Sequence, residues 1–171
     1  GTMKGLDQMI TETGTFKHYC HNPNDSGSLC GNDILCVING KNHDLWIGTY
    51  GKGINHVILP ENNTDNPEFI HYLNEPGNSE GLSNNYIRCL HLSRDGKIWI
   101  GTLGSGVDMM DPATGKFTHY QNRPGTTGGL INNFINCIQE DKNGLIWIGT
   151  WDGISCLNRA TDSFISYTVE D

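Results

Sequence analysis

Apolar residues along this chain fall in short runs of five or six rather than at helical spacing, and the runs themselves recur. Leu45-Trp46-Ile47-Gly48-Thr49, Ile98-Trp99-Ile100-Gly101-Thr102 and Ile146-Trp147-Ile148-Gly149-Thr150 are near-copies, 53 and 48 residues apart. Phe-x-x-Tyr pairs stand at Phe16/Tyr19, Phe69/Tyr72, Phe117/Tyr120 and Phe164/Tyr167, and each of the first three Phe precedes the next Trp by 30 residues. Between them Leu29, Leu82 and Leu130 hold one register, then Asn32, Asn85 and Asn133, then Ile34, Ile87 and Ile135. Gly5, Gly53, Gly106 and Gly153 each open a further apolar run, and the longer spacing traces to a five-residue insertion near 61–67. A period near 48 residues marks a repeat protein.

Each unit predicts four short strands, exemplified by 87–92, 97–102, 106–110 and 116–120. Their β-branched and aromatic content and the turn residues between them favour strand, and no window keeps a helical apolar period. Asp95-Gly96 and Asn143-Gly144 suit two-residue hairpin turns with φ > 0, and Asp111-Pro112-Ala113-Thr114-Gly115 is also turn chemistry. The expectation is an all-β chain of four-stranded antiparallel blades, a β-propeller; a solenoid is the rival, but its coils are shorter and its strands parallel. Trp46, Trp99 and Trp147 then read as blade-to-blade packing residues.

Phasing the repeat gives complete blades at 34–72, 87–120 and 135–167, preceded at 1–20 by the last strands of another. Gly1-Thr2-Met3-Lys4-Gly5 aligns without gaps on Gly149-Thr150-Trp151-Asp152-Gly153. Propellers close with about four to eight blades, so three and a half blades are expected to be a propeller fragment whose other blades are partners. Open sheet faces invite pairing, and self-association is expected, since two copies sum to seven blades.

The combined motif Gly81-Leu82-Ser83-Asn84-Asn85-Tyr86-Ile87, then Asp95-Gly96-Lys97-Ile98-Trp99-Ile100-Gly101-Thr102, then Phe117/Tyr120, resembles the two-component regulator propeller repeat over essentially the whole chain. The first unit departs from it, with Asn39-Gly40-Lys41-Asn42-His43-Asp44 in place of the tight turn. The resemblance implies the periplasmic sensor region of a hybrid two-component histidine kinase of polysaccharide-using gut bacteria. In that reading oligosaccharide is detected outside the cell and transcription of carbohydrate-utilisation genes is altered. A propeller lyase of the streptogramin-inactivating type and a protein-interaction platform are the alternatives, because fold alone does not select function.

Antiparallel connections alternate between the two ends of a blade. The Gly-Thr-x-Gly-x-Gly loops and the long connections 74–86 and 121–134 therefore share one face, where binding on a rigid scaffold belongs. Candidate ligand residues there are Tyr50, Asn84, Tyr86, Arg88, Asn132, Phe134, Trp151 and Asp152: aromatics for a sugar's apolar face beside amides and charges for its hydroxyls. The recurring Asn32, Asn85 and Asn133 read instead as loop-holding residues.

Composition narrows the function. The net charge of −8, from 11 basic and 19 acidic residues, argues against a nucleic-acid partner. No apolar run is long enough to span a bilayer, so no direct membrane contact is expected of this segment, and no signal peptide is seen at its start. Cys36, Cys89 and Cys137 share one repeat position and read as small buried apolar residues, whereas Cys20 and Cys30 share a loop and could bridge in an oxidising periplasm. His18, His71 and His119 recur and mark a structural position. No metal spacing, cofactor motif or catalytic constellation is recognised.

Overall fold

The computed structural model describes residues 1–60, 66–123 and 128–168. Among them the chain forms fourteen strands and no helix. Strands β1 (Leu6–Ile10) and β2 (Thr15–Tyr19) pair as a half-blade. The first blade is β3 (Ile34–Asn39), β4 (Asp44–Thr49), β5 (Ile54–Ile58) and β6 (Glu68–Tyr72); the second is β7 (Ile87–Leu92), β8 (Ile98–Thr102), β9 (Val107–Asp111) and β10 (Lys116–Tyr120). The third is β11 (Ile135–Glu140), β12 (Ile146–Thr150), β13 (Ile154–Asn158) and β14 (Ser163–Tyr167). Each blade is an antiparallel meander in chain order. The insertion read near 61–67 lies mostly outside the described residues, as does part of the 121–134 connection. The first strands β3, β7 and β11 are neighbours, so the blades fan outward from them.

Blade faces pack through three apolar clusters. The first joins Leu6 of the half-blade to Ile34, Ile47 and Val57. The second joins Trp46 and Ile54 of the first blade to Ile87, Leu90 and Met110 of the second. The third joins Trp99 and Val107 to Ile135, Ile138 and Leu157. Trp46 and Trp99 are thus buried between blades, as expected, whereas Trp147 is half-buried. Ile154, on the same exposed face of the third blade, is 45% exposed where Ile54 and Val107 are 0%.

The recurrent glycine of the pentapeptide is a close-approach site. A Cβ on Gly101 would lie 2.5 Å from Cys89 Sγ across the β7–β8 pair and 2.6 Å from Ile135 Cγ2 of the next blade. Gly48 is squeezed alike between Cys36 and Ile87. The cysteines therefore do not form a uniform buried row. Cys36 and Cys89 are half-buried, and Cys137 is exposed because no blade covers that face among the described residues. Nor do Cys20 and Cys30 bridge: Cys20 Sγ donates to the Lys4 carbonyl at 3.2 Å and Cys30 Sγ to the Lys52 carbonyl at 2.7 Å.

The hairpins between first and second strands also differ from the two-residue expectation. Gly96 N–H donates to Ser93 O at 2.8 Å and Ser93 N–H to Lys97 O at 3.0 Å. Only Gly96 (φ 86°), not Asp95, enters the left-handed region. This is a three-residue loop, a turn followed by a left-handed glycine. In the divergent first blade His43 takes that conformation at φ 54°. A second recurring feature escaped the sequence pattern: the first-to-second strand register shifts between Ile34 and Cys36, Ile87 and Cys89, and Ile135 and Cys137. Each first strand carries a bulge at the same place.

Candidate ligand-binding face

At the end of the blades that carries the long connections, main-chain pairing draws the Gly-Thr loops against the entries of the first strands. Leu103 N–H donates to Tyr86 O at 3.0 Å and Trp151 N–H to Phe134 O at 3.1 Å. Between blades, Tyr50 bridges Tyr86 and Leu103 bridges Phe134. The side chains follow. The Tyr50 and Tyr86 rings meet edge to face at 4.8 Å, and Phe134 and Trp151 stack at 4.5 Å. Tyr50, Tyr86, Leu103, Phe134 and Trp151 thus form a continuous arc across three blades, with Tyr50 51% and Trp151 64% exposed. A contiguous exposed apolar patch is the kind of surface through which ligands and partners are bound.

The predicted amides serve differently from the expectation. Asn84 Oδ1 accepts from Tyr86 N–H at 2.9 Å while its Nδ2 donates to Ser105 Oγ at 3.1 Å. Asn132 Oδ1 accepts from Phe134 N–H and its Nδ2 donates to Asp152 Oδ2, both at 2.6 Å. Both side chains hold the aromatic residues that follow them, so they are positioning groups more than free hydrogen-bonders. Asn32, Asn85 and Asn133 hold the loops: each Oδ1 accepts a main-chain N–H eleven residues earlier at 2.7 Å. Among the described residues, the exposed groups at this face that remain for a ligand are the Tyr50 and Tyr86 hydroxyls, the second Asp152 oxygen and the Arg88 guanidinium.

Arg88 is expected at this face from the alternation of the connections, but its local geometry is not legible in the sequence. It is the bulge residue of β7, with Leu35 and Asn136 at the matching bulges, and it is exposed on an innermost strand. Bulges re-aim side chains and are frequent beside functional sites. Its guanidinium favours ionisation of the neighbouring thiols, yet burial prevails and pushes Cys36 up to about 11 and Cys89 to about 12, the latter aided by Cys36 and Cys137 beside it. At neutral pH these are thiols, unsuited to nucleophilic or ligating roles. Among the described residues no group of three or more His, Cys, Asp or Glu could hold a metal.

Two of the recurring histidines anchor connections, His71 Nε2 at 2.8 Å from Ser28 O and His119 Nε2 at 3.1 Å from Ser79 O, whereas His18 pairs with Asp7 of the adjacent strand. His119 Nδ1 lies 2.7 Å from Asp108 Oδ1, and the fully buried Asp108 accepts from Ser83 N–H with its other oxygen at 2.8 Å. A cavity of about 690 Å³ lies at the opposite end, between Tyr19 and Gln8 of the half-blade and Asn42 and His43 of the first blade. The aromatic arc lies outside it, with Tyr50, Tyr86, Phe134 and Trp151 all exposed.

This fan of four-stranded meanders, packed through repeated tryptophans and loaded with loops at one end, defines a β-propeller-type protein. The model of the family "Two component regulator propeller" matches residues 28–51, 81–104 and 129–152, one copy of its repeat at the entry to each complete blade. A similar solved structure is the extracellular domain of the hybrid two component system BT3049 from B. thetaiotaomicron, at 29% identity and a TM-score of 0.76, covering 96% of this chain and 21% of that one. The chain thus spans about a fifth of that domain's length. PorZ, a component of the type-IX secretion system of Porphyromonas gingivalis, shares the fold at 16% identity and a TM-score of 0.70, over 99% of this chain and 25% of that one. Virginiamycin B lyase from Staphylococcus aureus shares it at 14% identity and a TM-score of 0.60, over 96% and 48%. No curated protein matches the chain.

Proposed function

We propose that this chain is a ligand-sensing segment of the extracytoplasmic, periplasmic region of a hybrid two-component histidine kinase. Its ligand class is oligosaccharide, and its output is transcription of carbohydrate-utilisation genes. The observation that carries the ligand class is the exposed arc of Tyr50, Tyr86, Phe134 and Trp151. Flat rings with one face in solvent stack on the C–H face of a sugar, while hydroxyl, carboxylate and guanidinium groups beside them take its hydroxyls. The setting is supported by the family match and by the likeness to an extracellular sensor domain. The segment binds and is not itself catalytic.

Calorimetric titration with a panel of neutral oligosaccharides tests this. The expected outcome is saturable binding that Trp151→Ala and Tyr50→Ala each weaken about three- to tenfold, the worth of one aromatic contact. Binding that survives both substitutions would reject the arc. Product formation during the titration would replace sensing by the lyase reading.

A further inference from the structure

One repeat position on the outer strands keeps its register but not its chemistry. His18 lies opposite Asp7, His71 opposite Asn55, His119 opposite Asp108, and in the third blade Ser166 lies opposite Ser155. Of these histidines, His119 alone stands between two acceptors among the described residues. Its Nδ1 is 2.7 Å from Asp108 Oδ1 and its Nε2 is 3.1 Å from the Ser79 carbonyl oxygen. A neutral imidazole has one N–H and one lone pair, whereas an imidazolium donates from both nitrogens. Both contacts therefore need a second proton, held between Nδ1 and Oδ1 besides the one on Nε2. When that proton leaves, one N–H remains for two acceptors. The carboxylate is the stronger of them and takes it, and the Nε2 lone pair is left facing the Ser79 carbonyl.

The other copies make the comparison internal. His71 Nε2 lies 2.8 Å from Ser28 O beside the uncharged Asn55, so one N–H suffices there. His18 has Asp7 at 2.6 Å and no carbonyl partner among the described residues, and Ser155 meets Ser166 at 3.2 Å with nothing to titrate. Around His119 the neighbouring elements bring Lys116 on its own strand, Glu75 and Glu80 on the 74–86 connection, and His71 and Tyr72 on β6. Among the described residues only Asp108 forms an ion pair with it. The segment it holds leads into the aromatic arc. From Ser79 the chain runs to Ser83, whose N–H donates to Asp108 Oδ2 at 2.8 Å, and then to Asn84, whose Oδ1 accepts from Tyr86 N–H at 2.9 Å.

We propose that Asp108 and His119 form a proton-operated latch on the 74–86 connection, closed at low pH and opening as pH rises, that sets Tyr86 and hence the affinity of the arc. The affinity step rests on the proposed sensing function; the latch itself does not. Histidine is the side chain that exchanges its proton between about pH 5 and 8, the range over which the latch is tested.

Nuclear magnetic resonance of the chain reads the latch without a ligand. The His119 ring is expected to carry both protons at the acid end and to lose the one on Nε2 as pH rises. Amide protection at Ser83 and Tyr86, corrected for the intrinsic pH dependence of exchange, is expected to fall at least about fivefold. The matching amides of Ile131 and Phe134, held by Ser155 and Asn132, are expected to stay constant. Asp108→Asn gives the second blade the first blade's chemistry, and its Ser83 protection is expected to be flat. Protection that is flat in the unaltered chain, or falls alike in Asp108→Asn, overturns the proposal. Where Asp108→Asn does not fold, His119→Gln decides, since a pH dependence that survives it also overturns the latch. Calorimetry with the neutral oligosaccharide panel then reads the coupling. Affinity at least about fivefold weaker at the alkaline end, in the unaltered chain and not in the folded variant, supports it. An affinity that is flat in the unaltered chain, or falls equally in both, overturns control of the arc. If no oligosaccharide binds at either end, the sensing function fails and the exchange at Ser83 and Tyr86 alone decides the latch.

Discussion

At the residue scale the pentapeptide's glycine and tryptophan do separate work. The tryptophan fills a blade junction, and the glycine lets the next blade's isoleucine and its own blade's cysteine approach the strand from either side. The repeat supplies an internal control. At Gly101 a methyl group would meet Cys89 and Ile135 together, but at Gly149 it would meet only the sulfur of exposed Cys137, at 2.7 Å, and a main-chain oxygen at 3.9 Å. Overpacking a closed site costs about 1–3 kcal/mol, and an open one relaxes. Gly101→Ala is therefore expected to lower stability by about 1–3 kcal/mol, and Gly149→Ala by less than about 1 kcal/mol. Urea unfolding of the two variants measures the difference, and equal losses would remove the two-sided packing account.

At the element scale, the ends of neighbouring blades are tied by ionic contacts that no single repeat unit reveals. Glu140, at the end of β11, accepts from Arg94 N–H at 2.8 Å and lies 3.3 Å from the Arg94 guanidinium and 3.5 Å from that of Arg159. Arg159 also reaches Asp95 of the second blade at 2.8 Å. Burial favours the neutral Glu140 acid, but the Arg94 N–H and the two guanidinium groups outweigh it, leaving the pKa below the ordinary 4.5. A carboxylate depressed on folding stabilises the fold fully above its unfolded value and loses that contribution as pH falls through the folded one. Thermal stability is thus expected to fall as pH drops below about 4.5, and Glu140→Gln to make that fall shallower. At pH 7 the same substitution removes charge-assisted bonds worth about 1–3 kcal/mol. Scanning calorimetry of both proteins at pH 7 and across the acid range checks it; parallel pH curves would show that Glu140 contributes nothing to the acid limb.

The whole molecule shows why the blades were legible and the site only in part. Apolar period and turn residues record the packing that every blade shares, so Phe16, Trp46 and Ile87 fixed the register of the strands. The bulge at Arg88 leaves the apolar pattern unchanged and was invisible, and Asn84 and Asn132 revealed their residue types but not that their amides were already occupied. Cys137 departed from Cys36 and Cys89 because exposure depends on the neighbouring blade and not on the repeat position. That dependence has an energetic consequence, since in a stack of repeats each unit is stabilised by its nearest neighbours. The second blade is packed on both faces, by Trp46 and Ile54 on one side and Ile135 and Ile138 on the other. The third leaves Ile154, Ile165 and Tyr167 exposed, and the half-blade Met9 and Phe16. Opening therefore costs most at β7 and β8 and least at β1, β2 and β14. Native-state amide exchange is expected to be at least about tenfold slower in β7 and β8 than in those outer strands, a gap of about 1.4 kcal/mol. Uniform exchange across all fourteen strands would mean that the blades open as one cooperative unit, and that the covered faces of the second blade confer no local advantage.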